Sequence, residues 1–109
     1  MHNNDYKYDL GIIEAVYRYY THGLQPGSCT YAMICGDIYR AFESSHPNIK
    51  KCYTWKNTMD IIHNILPIEC LGPENYAAWI KHGGLNGADE LTKSRNKSLG
   101  VDDKFSMYL

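Results

Sequence analysis

Prolines and glycines divide this chain into short segments, and each segment has the residue spacing of a helix. The breaks fall at Gly23, Pro47, Pro67 and Gly83-Gly84. Glycine favours the left-handed turn that ends a helix, and proline lacks the N–H that a helix interior needs. Between the breaks, apolar residues recur at intervals of three and four. The pattern therefore predicts an all-α fold, a compact bundle of about four helices.

The first two predicted helices span residues 9–22 and 28–44. Asp9 and Ser28 stand at their starts, where a side-chain oxygen can accept a hydrogen bond from a free backbone N–H. Gly36 lies inside the second helix, where it either breaks the helix or allows another group to approach closely. The predicted buried faces consist of Ile12, Ile13, Val16, Tyr17 and Tyr20 in the first helix and Tyr31, Ile34, Cys35, Ile38 and Phe42 in the second.

Two further helices are predicted, over residues 48–66 and from Pro73 to the glycine pair at 83–84. Pro73 suits the first position of a helix because its missing N–H is not needed there. The third helix carries an apolar seam that fits an ordinary core or a partner helix. The seam is Cys52, Trp55, Met59, Ile62 and Leu66, and the buried side of the fourth helix is Tyr76, Ala77 and Ile80.

The composition changes after Gly84. Residues 85–109 are polar and contain glycine, serine and asparagine, which weaken helices, whereas the final KFSMYL is more apolar. We therefore divide the chain into a helical domain of residues 1–84 and a polar C-terminal tail of residues 85–109. The tail is expected to be flexible or to dock on a neighbouring subunit.

Charge and hydropathy argue against two classes of partner. The 109 residues hold 11 Lys and Arg against 12 Asp and Glu, with no run of one sign. A protein that binds duplex nucleic acid needs a basic stripe to neutralise phosphates, so we expect no duplex partner. No apolar run approaches the roughly 18 residues of a membrane span, and the N-terminal MHNNDYKYD does not have the pattern of a signal peptide. We expect no membrane partner either.

The four cysteines form no CxxC pair and suggest reduced thiols rather than a disulfide framework. A zinc site built from them with His46 or His63 has no supporting spacing. Cys29 and His22 are seven residues apart and would make a nucleophile and base for a small hydrolase, although a half-buried cysteine at a helix start explains Cys29 as well. We expect no metal, no cofactor and no catalytic residue.

The connector HGLQPGSCTY, residues 22–31, is the best candidate for a ligand site. A helix N-terminus offers free N–H groups and a positive dipole end to an anion, and Gly27 and Ser28 stand at this one. Arg18 lies one turn before the end of the first helix and suits bidentate contact with phosphate. Tyr17, Tyr20 and Tyr31 offer faces on which bases can stack. The alternative is a turn with good turn residues and nothing bound.

The ordered set of short motifs resembles a widespread group of small phage proteins with the pattern PPGSFLxAVLxNDLxxAF followed by CWGSPExxxxWI. The matching positions are Pro26-Gly27-Ser28, Gly36-Asp37-Ile38, Ala41-Phe42, Leu66-Pro67, Cys70, Gly72-Pro73-Glu74 and Trp79-Ile80. The resemblance covers roughly residues 10–84. Leu71 replaces the tryptophan of the pattern, no serine separates Gly72 from Pro73, and Gly36 replaces an asparagine, so this chain lacks any contacts that those three side chains make.

The resemblance implies a nucleotide sponge of the anti-CBASS or anti-Thoeris kind, in the cytoplasm of an infected bacterium. Such a protein sequesters a cyclic dinucleotide or a cyclic-ADP-ribose-type immune signal without cleaving it. A four-helix protomer has little concavity, so the pocket is expected between subunits of a homo-oligomer. The expected ligand-binding residues are Arg18, Tyr20, His22, Pro26, Gly27, Ser28, Tyr31 and Arg40.

An alternative function is a protein-binding module that inhibits or recruits a host protein. Ten tyrosines favour this function, because tyrosine combines an apolar face with a polar tip at wet interfaces. Tyr19, Trp79 and the C-terminal KFSMYL are expected to be exposed in this case.

Overall fold

The computed structural model describes residues 8–109, without the side chain of Lys51, and all its regular elements are helical. The α-helices of this range are α1 (Leu10–His22), α2 (Ser28–Cys35), α3 (Ile38–Ser44), α4 (Pro47–Lys51), α5 (Thr54–Ile65), α6 (Pro73–Lys81), α7 (Glu90–Leu99) and α8 (Val101–Ser106). Short 3-10 helices occur at Ile68–Cys70 and Leu85–Gly87. The all-α prediction is confirmed. Over residues 8–109, no helix has the length and apolar character to cross a membrane.

There are more and shorter helices than predicted, because two predicted helices are interrupted and the predicted tail forms α7 and α8. Gly36 adopts φ 80° and ends α2, and the Asp37 side chain then accepts the Arg40 N–H at 3.0 Å and starts α3. In the third predicted helix, Tyr53 adopts φ 56° between α4 and α5. The local break that Gly36 allowed is therefore present, whereas a break at Tyr53 was not expected.

Helix α1 has the predicted ends and supplies the centre of the core. Asp9 accepts the Ile12 N–H at 3.0 Å, and Gly23 closes the helix in the left-handed conformation. Its fully buried residues pack against α2, α5, α6 and α8, and they are Ile13, Val16, Tyr19 and Tyr20.

Two aromatic residues that the protein-binding alternative expected on the surface are buried, so that expectation was wrong. The Tyr19 ring stacks on Tyr76, and its hydroxyl donates to the Cys70 carbonyl oxygen at 2.7 Å. Trp79 stacks on Tyr20 and donates its ring N–H to the Tyr20 carbonyl oxygen at 3.0 Å. Each polar tip is satisfied inside the core, so neither residue needs water.

The predicted buried faces are only partly correct. Ile38 and Phe42 are exposed because the turn at Gly36 reorients α3, of which Ala41 is the buried residue. Cys52 and Ala77 are exposed as well. A continuous helix through Gly36 would have kept Ile38 and Phe42 in line with α2, so the wrong assignment follows from the missed reorientation.

The C-terminal segment differs from the expected polar tail. Residues 90–106 form α7 and α8, and Val101 and Phe105 are buried in the same core as α1. The Phe105 ring centroid lies 4.9 Å from that of Tyr17 and 5.6 Å from that of Tyr20. The last quarter of the chain thus covers one side of α1.

The backbone at the end of α1 packs directly against the backbone of the loop that follows α6. A Cβ atom added to Gly23 would lie 2.7 Å from the Gly84 nitrogen. The two glycines therefore allow an approach that any side chain would prevent. The Asn86 side-chain amide donates to His22 Nδ1 at 2.9 Å beside this contact.

Candidate functional site

The connector of residues 22–31 ends in an open helix N-terminus. The predicted N-cap Ser28 is instead the first helical residue of α2, and Gly27 is the N-cap, with no side-chain hydrogen bond. Both residues are exposed, and a side chain at Gly27 would meet no atom within 4 Å. Pro26 is half-buried beside them. The first N–H groups of α2 therefore have no side-chain cap.

The predicted arginines lie on the surface. Arg18 is exposed on α1, and the Arg40 guanidinium lies 3.8 Å from the Asp37 carboxylate on α3. A hydrogen bond with Cys35 raises the pKa of the Tyr31 hydroxyl, and the nearby charge of Arg40 partly opposes this rise. Tyr31 itself is half-buried, and its ring packs edge-on against Tyr76.

Tyr20 has a different role from the open stacking face that the sequence suggested. It is 1% exposed, and its ring packs between Trp79 and Phe105. It nevertheless lines a cavity of about 580 Å³ under α7 and α8. Tyr20 therefore belongs both to the core and to the wall of this cavity. His22 is exposed but reaches the cavity edge through Asn86.

One face of α7 forms the main wall of the cavity. Lys93, Asn96, Lys97 and Gly100 line it, and their spacing of three, four and seven puts them on one side of a helix. The opposite wall contains Leu85 and Asn86 of the 3-10 helix and Val101, Asp102 and Asp103 of α8.

Helix α7 is fixed at its start and along its outer side. Asp89 accepts the Thr92 N–H at 2.8 Å, and this bond holds the pKa of the Asp89 carboxyl below its usual range. The Arg95 guanidinium donates to the Glu69 carboxylate at 2.8 Å, which joins α7 to the 3-10 helix Ile68–Cys70. The cavity-facing residues of α7 therefore project from an anchored helix.

Asn96 is a buried amide beside the Tyr20 hydroxyl. It is 1% exposed, and its Oδ1 and Nδ2 atoms have almost no accessible surface. Burial first, and then the Asp102 charge, raise the pKa of the Tyr20 hydroxyl, and a hydrogen bond with Asn96 opposes this rise. The amide therefore belongs to the core under α7 and is not an open polar group of the cavity.

The charges around the cavity are mixed. Lys93 and Lys97 lie one turn apart on α7, and Asp102 and Asp103 face them from the first turn of α8. Burial first, and then the Asp102 carboxylate, raise the pKa of the Tyr17 hydroxyl as well. The cavity thus offers two cations and two carboxylates, a set that can bind a ligand with several kinds of polar group.

The suggested nucleophile and base have different partners. The Cys29 sulfur lies 3.8 Å from the Ala41 carbonyl oxygen and 3.5 Å from the Ser45 hydroxyl, whereas the His22 ring pairs with Asn86. Among residues 8–109, no group of three or more His, Cys, Asp or Glu side chains is placed to hold a metal ion.

The sequence interpretation missed the α7 wall. The signal was present: Asp89 and Gly100 are a typical start and stop of a helix, and the residues between them place two lysines and an asparagine on one face. Helix α7 was not predicted, because its segment is polar and has little apolar periodicity. Protein-family models, curated proteins and solved structures gave no match to the chain.

Proposed function

We propose that this protein binds a cyclic nucleotide immune signal and withholds it, uncleaved, from the host effector. It would act as a phage anti-defence protein in the cytoplasm of the infected bacterium. The observation that carries the proposal is the cavity under α7 and α8, with Lys93 and Lys97 on its wall. Sequestration requires affinity and slow release, and it needs no acid, base or nucleophile.

The polar groups of the cavity match the parts of a nucleotide. Lysine ammonium groups bind phosphate as point charges, and carboxylates accept hydrogen bonds from ribose hydroxyls. Asp102 and Asp103 supply the carboxylates. The volume of about 580 Å³ lies within the range of roughly 300–1,000 Å³ that is usual for small-molecule sites.

The α2 N-terminus at Ser28 is the other place where the phosphate of the ligand could bind. The cavity is the better supported of the two, because it combines enclosure with charge. Only Tyr20 belongs both to the predicted residues and to the cavity wall. A charge-reversal experiment separates the two positions.

The double variant Lys93→Glu/Lys97→Glu is expected to bind the cyclic nucleotide at least about 100-fold more weakly, because each lost charged hydrogen bond costs about 1.5–3 kcal/mol. The ligand is first identified by a thermal-shift screen of cyclic dinucleotides, cyclic trinucleotides and cyclic ADP-ribose isomers. At 100 times its Kd, a ligand adds about 2.7 kcal/mol to the free energy of unfolding. Calorimetry then measures the affinity.

Two controls accompany the double variant. Lys81→Glu/Lys104→Glu makes the same charge change away from the cavity wall and is expected to keep wild-type affinity. Ser28→Asp is expected to keep it also. Loss of binding in Ser28→Asp alone would move the site to α2, and a ligand converted to a new mass after incubation would make the protein a hydrolase.

We also propose that the chain forms a homo-oligomer through the exposed face of α3. Ile38, Tyr39 and Phe42 are apolar and exposed there, at 56%, 72% and 42%. A hydrophobic face of this kind suits contact with a second copy. The same face supports the alternative function, a module that binds a host protein.

Ile38→Glu is expected to convert the oligomer to a monomer, because a charge would be buried in the apolar contact. Size-exclusion chromatography with light scattering measures the mass. Ile68→Glu, at an 81% exposed isoleucine outside α3, is the control and is expected to keep the wild-type mass. A monomeric wild type that binds no cyclic nucleotide would favour the protein-binding alternative.

A further inference from the structure

The charges of the cavity wall are separated by helix. Lys93 and Lys97 lie on α7, Asp102 and Asp103 lie on α8, and the other lining residues carry no charge. The ion pairs found among residues 8–109 join other side chains, so these lysines and aspartates are held apart rather than paired with each other. A ligand in the cavity therefore meets two cations on one side and two carboxylates on the other.

The two lysines are placed to bind one anionic group together. Residues four apart on a helix are neighbours, with Cβ atoms about 5–6 Å apart, and the lysine ammonium is a point charge on a flexible stem. Lys93 and Lys97 can therefore converge on phosphates that lie side by side. A phosphate on the α8 side of the cavity would instead face Asp102 and Asp103, and the contact of like charges weakens binding.

The two classes of cyclic signal differ in how their phosphates are arranged. In a cyclic dinucleotide, the two phosphodiesters lie on opposite edges of the ring, with a ribose between them on either side. When one of them binds the lysines, the other is directed away from α7 and toward the carboxylates. In a cyclic-ADP-ribose-type signal, the two phosphates share a bridging oxygen, so both can lie at Lys93 and Lys97.

The carboxylates favour the same class of ligand. A carboxylate that binds a ribose accepts hydrogen bonds from its hydroxyl groups. Cyclic ADP-ribose keeps both the 2′ and the 3′ hydroxyl on its riboses, whereas a 3′,3′-linked cyclic dinucleotide keeps only the 2′ hydroxyl on each. Asp102 and Asp103 are neighbours in the first turn of α8 and both line the cavity, so they can bind adjacent hydroxyls.

We propose that the cavity selects a nucleotide with a diphosphate bridge, of the cyclic-ADP-ribose type, over a cyclic dinucleotide. Lys93 and Lys97 bind the diphosphate, and Asp102 and Asp103 accept hydrogen bonds from the ribose hydroxyls. This preference rests on the proposed function and defines the class of its ligand.

The test compares the affinities of wild type for cyclic ADP-ribose and for 3′,3′-cyclic di-AMP, measured by calorimetry. Both probes contain adenine, two riboses and two negative charges, so neither net charge nor the kind of base distinguishes them. We expect cyclic ADP-ribose to bind about 10- to 100-fold more tightly, because only its phosphates avoid the carboxylates. Linear ADP-ribose, which has the same diphosphate, is expected to bind more weakly than the cyclic compound because it loses flexibility on binding.

The variant Asp102→Asn/Asp103→Asn removes the carboxylate charges and keeps the size of the side chains. It is expected to bind cyclic di-AMP more tightly than wild type does and cyclic ADP-ribose no more tightly, so the preference between the probes falls about 10-fold or more. Glu14→Gln/Glu74→Gln is the control, since it removes two exposed carboxylates outside the cavity wall. It is expected to keep the wild-type preference.

The possible outcomes separate this preference from the proposed function. If wild type binds cyclic di-AMP as tightly as cyclic ADP-ribose, or more tightly, the diphosphate assignment is wrong and the proposed function stands. An unchanged preference in Asp102→Asn/Asp103→Asn would overturn the role of the carboxylates. If linear ADP-ribose binds most tightly, the diphosphate site is supported and the proposed function is contradicted. If no cyclic nucleotide binds, both proposals fail.

Discussion

Gly23→Ala is expected to lower the free energy of unfolding by more than about 3 kcal/mol. Two costs add in this variant. Alanine at a left-handed φ of 69° costs about 1–2 kcal/mol, and the new Cβ would lie 2.7 Å from the Gly84 nitrogen and 2.9 Å from the Gly83 carbonyl carbon. Those atoms are backbone, so the end of α1 must separate from the loop after α6. Urea unfolding followed by far-UV circular dichroism measures the loss.

Gly100→Ala is the matched control for this variant. Gly100 has φ 69° and ψ 35°, close to the φ 69° and ψ 27° of Gly23, but its added Cβ would meet only an Asp103 side-chain oxygen at 3.9 Å. Its cost is therefore the conformational one alone, about 1–2 kcal/mol. Equal losses in the two variants would show that the close approach of Gly23 and Gly84 contributes nothing.

Phe105→Ala is expected to destabilise the protein by about 3–5 kcal/mol, the range for removing a buried phenylalanine ring. Phe105 is 1% exposed and contacts Tyr17 and Tyr20 of α1. Its loss leaves a cavity between α8 and α1. Thermal and urea unfolding of wild type and variant give the difference.

The control for Phe105 lies two residues away in the chain. Met107 is 75% exposed, so Met107→Ala is expected to change the free energy of unfolding by less than about 0.5 kcal/mol. A flexible C-terminal segment would make both variants neutral. Near-zero effects at both positions would therefore contradict the packing of α8 against α1.

The elements predicted well are those whose signals are local. Asp9 and Gly23 mark both ends of α1 through their own conformational preferences, and the residues between them have clear helical spacing. The break at Tyr53 has no such signal, because tyrosine has no preference for a positive φ such as the 56° that it adopts there. The core role of Phe105 depends on contacts with residues more than 80 positions earlier, which no local pattern reveals.

The candidate site was less predictable than the fold. The start of α2 was found from the chemistry of Gly27 and Ser28, but the expected N-cap was wrong, because Gly27 and not Ser28 occupies that position and no side chain caps the helix. The cavity was missed because it forms where α7 and α8 fold over Tyr20, and a polar segment gives no indication that it will cover a core residue. A search for polar residues at helical spacing would have pointed to Lys93, Asn96 and Lys97.

The arrangement of the cavity wall also makes the proposed site depend on the packing of one segment. Apart from Tyr20, every residue of the wall lies between 85 and 103, and α7 and α8 are joined by the single residue Gly100. Val101 and Phe105 hold this segment in the core. A substitution that loosens α8 from α1 would therefore open the cavity without touching any of its polar residues.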